Sequence, residues 1–454
     1  MESDEVALVS LKQRVVERLP HGLKTMAVDS VWTMGFELTL LLSVTTSFIL
    51  LGRELGTEGY GEYVGLFAIT TPLSTVGSAS MLAAMQYMFA EEKPVERVMS
   101  IFLSLTFAGG AVAAVVAVLL AEATLSSLSF VAIVAMSISE IIVFPMGRVV
   151  GAGVRALHGV PASVRVELAF IVARFALLLS VFAVTDLTIL KVSVGWLLTN
   201  LAVLSWLLFR VLPKDHVHPR PVRVHARDLR MTGALGAPIF ISDFQTNGDK
   251  VVLGAAGYRS ELGLYGAAFR VVQMGMMPLR AMDIAVFHRF LQSDSSAFGQ
   301  HTRRARNYSY ASILVILPVA AGLWLFAPQL ELVLGDEFAG SVEMMRWLVL
   351  WLPIRAISGA PMNGLLGLGR LGLRLVVLMV GAATAVSIYV LVIPGVGWEG
   401  AVLGTIVGEL ALVVGGWIAL VWAQRKHDDR VRADAVGGAP KDDRPRGVAT
   451  EARA

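Results

Sequence analysis

Long apolar runs separated by short polar segments fill the chain between residues 27 and 423. A helix needs about 20 apolar residues to cross ~30 Å of hydrocarbon, and by that measure the pattern predicts about twelve membrane-spanning helices. They are predicted at 27–51, 63–90, 98–120, 127–147, 160–184, 189–211, 231–255, 262–287, 308–329, 343–365, 371–394 and 399–423. The sequence therefore predicts an all-α integral membrane protein.

Positively charged residues give the predicted helices an orientation. Cytoplasmic loops of membrane proteins carry the excess of Lys and Arg. The chain has 38 such residues, yet alternate predicted loops, together with the helix ends beside them, hold only Arg53, Lys191 and Arg259. We therefore expect these loops to lie outside and both termini to be cytoplasmic. We also expect the first helix, rather than a cleaved signal peptide, to target the chain.

The segment 237–270 echoes the start of the chain. Shifting it by 202 positions aligns Leu253, Gly254, Gly263, Tyr265 and Phe269 with Leu51, Gly52, Gly61, Tyr63 and Phe67. In both halves these residues stand where one apolar run ends, a short glycine-containing turn follows and the next run starts. We interpret the chain as a parallel duplication of a six-helix lobe about an axis normal to the bilayer.

These patterns divide the chain into five segments. The lobes are predicted at 27–211 and 231–423, joined by a basic, proline-containing cytoplasmic linker at 212–230. Residues 1–26 are mixed in charge, with apolar residues along one helical face, which predicts a cytoplasmic amphipathic arm. Residues 424–454 are charged and contain Gly and Pro, which predicts a disordered cytoplasmic tail.

Composition supports the membrane assignment and excludes several functions. The chain is 56% apolar and 16% charged, against roughly 45–50% and 25% in soluble proteins. Its net charge of +3 belongs to loops, so we expect no nucleic-acid partner. Without cysteine the chain has no disulfide, no iron–sulfur cluster and no thiolate metal site. The His-Glu-x-x-His, nucleotide-binding and G-x-S-x-G motifs are also absent, and we expect no catalytic residue, no metal and no cofactor.

Charged residues inside the predicted spans are the candidate functional residues. Each buried ion costs at least ~2.5–3.5 kcal/mol near mid-bilayer, so these charges imply either internal ion pairs or a hydrated cavity, of which we favour the cavity. The deep basic residues are Arg270, Arg355, Arg174 and Lys250. The acidic residues that could exchange protons or pair with the arginines are Glu37, Glu140, Asp243 and Glu409.

Arg270 is the most informative of these positions. It directly follows the repeated Gly-x-Tyr-x-x-x-Phe pattern and stands where the first copy has Ala68. A packing role would be served by an apolar residue, so the arginine breaks the pattern. Two interpretations stay open: Arg270 faces a cavity, or it is the buried ion-pair partner of Asp243 or Asp249.

Three segments together resemble a known family. They are LLGRELGTEGYGEYVGLFAI, ALGAPIFISDFQTNGDKVVLGAAGYRSELGLYGAAFR and FAPQLELVLGDEFAGSVEMMRWLVLWLPI. With their order and spacing, the chain resembles the polysaccharide flippases, of the O-antigen and teichoic-acid type, over about residues 27–423. These belong to the multidrug/oligosaccharidyl-lipid/polysaccharide exporter superfamily.

The resemblance implies two six-helix lobes that alternately open a central cavity to either face of a bacterial plasma membrane. It implies a polyprenyl-diphosphate-linked oligosaccharide or repeat unit as substrate, with membrane lipids and other polysaccharide assembly proteins as partners. Basic cavity residues of this family are thought to meet the diphosphate. By depth, that role is open here to Arg270, Arg355, Arg174 and Lys250.

Two alternatives remain open at this point. A drug or cation antiporter of the same superfamily would have a cavity dominated by carboxylates, which Glu37, Glu140, Asp243 and Glu409 could supply. A membrane glycosyltransferase using a polyprenyl donor could use the acidic cluster Glu54, Glu58 and Glu62 of the first outer loop for acid–base chemistry. The short outer loops leave this enzyme little room to bind an acceptor.

Overall fold

The computed structural model describes residues 21–125, 127–283 and 299–436, and these residues form helices and no strand. The helices of the first half are α1 His21–Leu73, α2 Thr75–Phe89, α3 Val95–Thr124, α4 Phe130–Ile138, α5 Phe144–His158, α6 Val160–Val184 and α7 Ile189–Trp206. Those of the second half are α8 Ala226–Ala255, α9 Arg259–Met274, α10 Gln300–Leu325, α11 Gln329–Leu334, α12 Gly340–Val349, α13 Trp351–Gly367, α14 Leu371–Val396 and α15 Trp398–Val436. The predicted all-α fold is confirmed.

Within the described ranges, 8 helices are long and apolar enough to cross a membrane. The first of them, Val28–Phe89, has 62 residues and is long enough for two crossings at 1.5 Å per residue. Three predicted spans fall short of this measure. They correspond to α8, to α12 with α13, and to α9 with the residues after it, of which 284–287 lie outside the described residues. These segments carry most of the intramembrane charge of the second half. About twelve crossings are therefore consistent with the structure.

Helix α1 consists of two helical segments that contain the first two predicted spans and meet at a kink. It bends at Gly56, whose φ of 65° lies in the left-handed region that favours glycine. The neighbouring residues Glu54, Leu55 and Glu58 are good helix formers. The polar segment that predicted an outer loop is therefore helical on both sides of Gly56, and the break between the two helical segments is this one kink.

The linker between the halves is shorter than predicted and is packed. Helix α8 begins at Ala226, inside the predicted linker 212–230, and its start carries a capping box between His225 and Asp228. Before it, the backbone N–H of Arg220 donates to Ser100 Oγ at 3.1 Å. The linker therefore lies along α3.

The C-terminal helix extends further than the apolar pattern indicated. Helix α15 reaches Val436, although disorder was predicted from residue 424. Gln424 Nε2 donates to Asp428 Oδ1 at 2.8 Å, and the backbone N–H of Gly299 donates to the same oxygen at 3.3 Å. Arg, Lys, Gln and Ala favour helix in this stretch, so the helix continues past the apolar run. Residues 1–20, most of the predicted N-terminal arm, and residues 437–454 lie outside the described residues.

The two halves share a hydrophobic core at one end and have separate cores at the other. The shared core contains Tyr60 of α1, Tyr265 of α9 and Phe338 after α11. At the opposite end, one core is built around Tyr87 of the first half and another around Tyr308 of the second half. The end with separate cores is the one predicted to be cytoplasmic. The lobes therefore share most of their hydrophobic core at the outer end, and at the inner end they still meet where Tyr87 Oη of α2 donates to Asp228 Oδ1 of α8 at 2.8 Å.

The outer contact is a crossing of α1 and α9 at two equivalent glycines. A Cβ added to Gly61 would collide with the backbone carbonyl oxygen of Arg259, and one added to Gly263 would collide with that of Thr57. The sequence repeat relates Gly61 to Gly263 and also Thr57 to Arg259. The same backbone contact is thus made twice, with the roles of the lobes exchanged, as a two-fold relation between the repeats requires. Glycine is needed here because the helices approach at backbone distance.

We expect Gly61→Ala and Gly263→Ala each to destabilise the protein by about 1–3 kcal/mol, since the added methyl group must push backbone apart. The measurement is the melting temperature of the purified protein in detergent. The control is Gly395→Ala in α14, where nothing lies within 4 Å of the added Cβ. Equal melting temperatures for all three variants would contradict the close crossing.

Candidate functional site

Two adjoining cavities lie between the lobes. One, the aromatic cavity, has a volume of about 440 Å³ and is lined by α1, α5, α6, α7, α8 and α9. The other, the polar cavity, has a volume of about 690 Å³ and is lined mainly by α8, α9, α10, α13 and α14. Phe67, Asn247, Arg270 and Gln273 line both. These four residues mark the junction of the two cavities.

Arg270 is placed at this junction by α9, seven residues inward from the Gly263 crossing. In the described part of the chain, no carboxylate lies within ion-pair distance of its guanidinium. Asp249 instead binds Lys250 and accepts a hydrogen bond from Tyr265 Oη at 2.6 Å, and Asp243 accepts one from Thr75 Oγ1 at 3.4 Å. This geometry favours the cavity interpretation of Arg270 over the ion-pair interpretation.

Lys250 lines the aromatic cavity, but its charge is already compensated. Its Nζ lies 3.0 Å from Asp249 Oδ1 and donates to the carbonyl oxygen of Thr246 at 2.8 Å. It also stands 3.5 Å from the centre of the Phe269 ring. Both members of this ion pair are buried, so the pair is neutral as a unit and fixes the junction of α8 and α9.

Arg174 is paired in the same manner within the first lobe. Its Nη2 lies 2.5 Å from Glu140 Oε1, and its Nε donates to Asn200 Oδ1 at 2.8 Å. Glu140 lies in a π-helical turn, Ser139–Val143, between α4 and α5, and such turns re-aim side chains inside a helix. Arg174 lines the aromatic cavity, but as part of a neutral pair.

Arg355 borders the polar cavity and holds a buried carboxylate. Its Nη1 lies 3.1 Å from Glu409 Oε1. Glu409 also accepts hydrogen bonds from Trp351 Nε1 at 3.1 Å and from the Ser358 hydroxyl. Side-chain exposure is 34% for Arg355 and 3% for Glu409. The arginine therefore faces both its partner and the cavity.

The four acidic residues predicted to couple ions lie in different surroundings. Glu140 and Glu409 are the partners of arginines. Glu37 is exposed on α1 and lines neither cavity. Asp243 lines the polar cavity, and no cation within the described ranges is paired with it. Of the four, Asp243 therefore shares the polar cavity with Arg270. Glu140 and Glu409 are held in ion pairs, and Glu37 lies outside both cavities.

Sequence reasoning missed several cavity residues. Arg280, Arg374 and Asp283 line the polar cavity, yet they lie at or near the ends of predicted spans, where a depth criterion gives them no weight. Asp283 accepts hydrogen bonds from Tyr308 and Asn363. Tyr60, Tyr63 and Trp196 line the aromatic cavity and were not singled out. The repeat carried a signal for Tyr63, because it is one of the five identities.

The acidic residues of the outer turn hold the lobes together. Arg259 Nη1 lies 3.9 Å from carboxylate oxygens of both Glu58 and Glu62, and Glu62 accepts a hydrogen bond from the Ser127 hydroxyl. Nearby, Ser260 Oγ donates to Thr57 Oγ1 at 3.1 Å. These residues form an outer-end contact and line neither cavity.

Comparison with solved structures identifies the fold. The chain is similar to a multidrug resistance MATE family transporter of the MOP superfamily in an inward-facing conformation, with a TM-score of 0.61 and 15% identity over 86% of this chain and 96% of that chain. For an outward-facing conformation the TM-score is 0.56, with 15% identity over 87% and 94%. A MOP superfamily transporter from Pyrococcus furiosus Vc1, described as having a binding pocket of reverse polarity, gives 0.59 and 14% identity over 90% and 96%. No family model and no curated protein matches the chain.

These similarities establish the class of fold: a multi-pass helical membrane protein with the two-lobed fold of MOP superfamily transporters. The predicted all-α, two-lobed fold is thereby confirmed. At 14–15% identity the similarity concerns the fold and does not single out the polysaccharide flippases within the superfamily.

The ion pairs make Arg355 and Arg270 behave differently in stability measurements. We expect Arg355→Ala to destabilise the protein by about 3–5 kcal/mol, because it leaves the buried Glu409 without its cation. Adding Glu409→Gln should restore most of the lost melting temperature. Arg270→Ala, which strands no carboxylate, should change the melting temperature little. An unchanged melting temperature for Arg355→Ala would contradict the pairing.

Proposed function

We propose that the protein exports a polyprenyl-diphosphate-linked oligosaccharide or repeat unit from the inner to the outer leaflet of a bacterial plasma membrane by alternating access. The observation that carries this proposal is Arg270, an arginine at the junction of two cavities with no carboxylate partner in the described chain. A guanidinium at such depth favours an anionic ligand. Arginine binds diphosphate through paired hydrogen bonds and keeps its charge at all relevant pH values.

The polar cavity supports an anionic head group in a second way. Arg280 and Arg374 also line it, and neither is ion-paired to a described residue; Arg374 Nε is buried without a hydrogen-bond partner in the described chain. Its two aspartates already accept hydrogen bonds from Thr75, Tyr308 and Asn363. A hydrated cavity of this kind provides the solvation that a charged head group lacks in hydrocarbon.

The arrangement of the lobes fits the loading state of such a cycle. The lobes share most of their hydrophobic core at the outer end, and the polar cavity is lined by Arg280, Asp283 and Arg374, which lie towards the ends of their spans predicted to be cytoplasmic. With no nucleotide-binding motif, the export would draw on an ion gradient, the membrane potential or consumption of the product. Outward movement of an anion is favoured by ~2.3 kcal/mol per charge per 100 mV of inside-negative potential.

A drug or cation antiporter is the second candidate. It is favoured by Asp243, which lines the polar cavity without a paired cation in the described ranges, and by the MATE transporters among the similar structures. The arginines of the same cavity argue against it, because they repel a cationic substrate. The enzyme alternative has less support, since Glu58 and Glu62 are engaged in the outer contact.

The direct test is Arg270→Ala in cells that depend on this protein for export. We expect export to fall by about 10- to 100-fold, the effect of losing charge-assisted hydrogen bonds of ~1.5–3 kcal/mol. Lipid-linked precursor should accumulate in the inner leaflet, as measured by leaflet-specific labelling, while protein abundance stays unchanged. Arg270→Lys should retain part of the activity, and Lys191→Ala at the outer end of α7 is the control.

Two results would contradict the proposal. Normal glycan export after Arg270→Ala would remove the residue from the site. Loss of drug tolerance on gene deletion, with glycan export intact, would favour the antiporter.

Alternating access predicts that locking the outer contact stops transport. The chain has no cysteine, so Thr57→Cys with Ser260→Cys introduces the only thiol pair at a contact where the native oxygens are 3.1 Å apart. Oxidation should cross-link α1 to α9 and abolish export, and a reductant should restore it. Each single cysteine variant is the control. Undiminished export by fully cross-linked protein would show that this contact does not open.

A further inference from the structure

Resting on the proposed function, we infer that the aromatic cavity is the sugar-binding subsite, which holds the sugar next to the diphosphate through Tyr63 and its neighbouring rings. The diphosphate would then lie at Arg270 and in the polar cavity. The aromatic cavity is lined by rings and the polar cavity by arginines. A lipid-linked sugar carries a sugar ring bonded to a diphosphate, and these two groups match the two cavities.

The aromatic rings form a continuous surface on one face of α1. Tyr60, Tyr63 and Phe67 are three and four residues apart, so they stand on the same side of the helix. The ring centroids of Tyr60 and Tyr63 are 5.9 Å apart, and those of Tyr63 and Phe67 are 6.0 Å apart. Trp196 of α7 meets Tyr63 edge-on at 6.2 Å. Tyr63 is therefore the central ring of the cluster.

The polar edges of these rings are unused within the described chain. The hydroxyl groups of Tyr60 and Tyr63 make no hydrogen bond to a described residue, and the indole N–H of Trp196 is buried without a described partner. Buried tyrosine and tryptophan usually satisfy these groups. A ligand for this wall should therefore offer both an apolar face and hydrogen-bonding edges, which is the chemistry of a sugar ring.

The charges around the aromatic cavity select against other occupants. Lys250 and Arg174 line it but are neutralised by Asp249 and Glu140. Arg148 and Glu167, which also line it, are of opposite sign, so little net charge is left to hold a second anion. A cationic aromatic compound would be repelled by Arg270, which lines the same cavity as Tyr60 and Tyr63. A prenyl chain would satisfy none of the hydroxyl groups. A neutral, hydroxyl-rich group fits best.

The position of Arg270 makes the two subsites adjacent. Arg270 lines both cavities, and in a lipid-linked glycan the first sugar is bonded directly to the diphosphate. An anion bound at Arg270 therefore places its sugar on the side of Tyr63 or on the side of Arg355. The aromatic cavity, at about 440 Å³, lies within the ~300–1,000 Å³ of small-molecule sites.

The test compares two probes on the purified full-length protein in lipid nanodiscs: a prenyl diphosphate, and the same prenyl diphosphate bearing one N-acetylglucosamine. We expect the native protein to bind the sugar-bearing probe about tenfold more tightly, a typical value for ring contacts with hydrogen bonds. Tyr63→Leu should abolish this preference and leave the affinity for the bare prenyl diphosphate unchanged. Arg270→Ala should weaken the binding of both probes.

Two further variants separate a lost contact from a lost fold. Tyr63→Phe keeps the ring and removes the hydroxyl group, so it should keep part of the preference. Tyr310→Leu removes an exposed tyrosine of α10 that lines neither cavity and should change nothing. Melting temperatures are measured for all variants, and the Tyr63→Phe result decides if Tyr63→Leu does not fold.

Each remaining outcome has one meaning. If the native protein binds both probes equally, the sugar subsite is wrong while the diphosphate site at Arg270 stands. If Tyr63→Leu weakens both probes to the same degree, the aromatic cavity holds the prenyl chain and the inference is overturned. If neither probe binds, the proposed function fails and the sugar subsite fails with it.

Discussion

The close approach of α1 and α9 at Gly61 and Gly263 is the contact on which the cavity depends. Because no side chain separates the two backbones there, the distance and direction of both helices are fixed at the outer end. The next two inward turns then bring Ala68 of α1 and Arg270 of α9, equivalent positions of the repeat, to the wall of the same cavity. Arg270 stands about 10 Å along α9 from Gly263 at 1.5 Å per residue. Ala68 is small and leaves room for the cavity, and Arg270 gives the cavity wall a positive charge.

Intramembrane charge divides into two groups in this protein. Arg174, Lys250 and Arg355 each have a carboxylate partner within 3.1 Å, and such pairs serve to position helices because removing either member is costly. Arg270 has no such partner in the described chain, so the cost of its desolvation must be met by water or by a ligand. That difference separates a charge that supports the fold from one that is available to a substrate.

The sequence was sufficient to predict the all-α membrane fold and its two lobes, because apolar run length, loop charge and the repeat are properties of the linear chain. It could not predict which charges pair. Arg270 and Arg355 lie at similar predicted depths, yet only Arg355 meets Glu409, which is supplied by α15. Pairing depends on how each helix is rotated against its neighbours. Selecting residues by their depth in the membrane also overlooked Arg280 and Arg374. Both lie near the ends of predicted spans, yet they line the polar cavity.

Beside the glycine crossing and the shared hydrophobic core, the polar contacts at the outer end are weak. The two ion pairs of Arg259 span 3.9 Å. The pair with Glu58, whose side chain is 69% exposed, contributes at most ~1 kcal/mol. One hydroxyl hydrogen bond joins Thr57 and Ser260, and two bonds from Arg53 reach carbonyl oxygens of α11. A ligand must favour the second state by about 5.5 kcal/mol to reverse a 99:1 population. Polar contacts of this strength can be offset by ligand binding, whereas a gate closed by buried ion pairs like Arg174 with Glu140 could not.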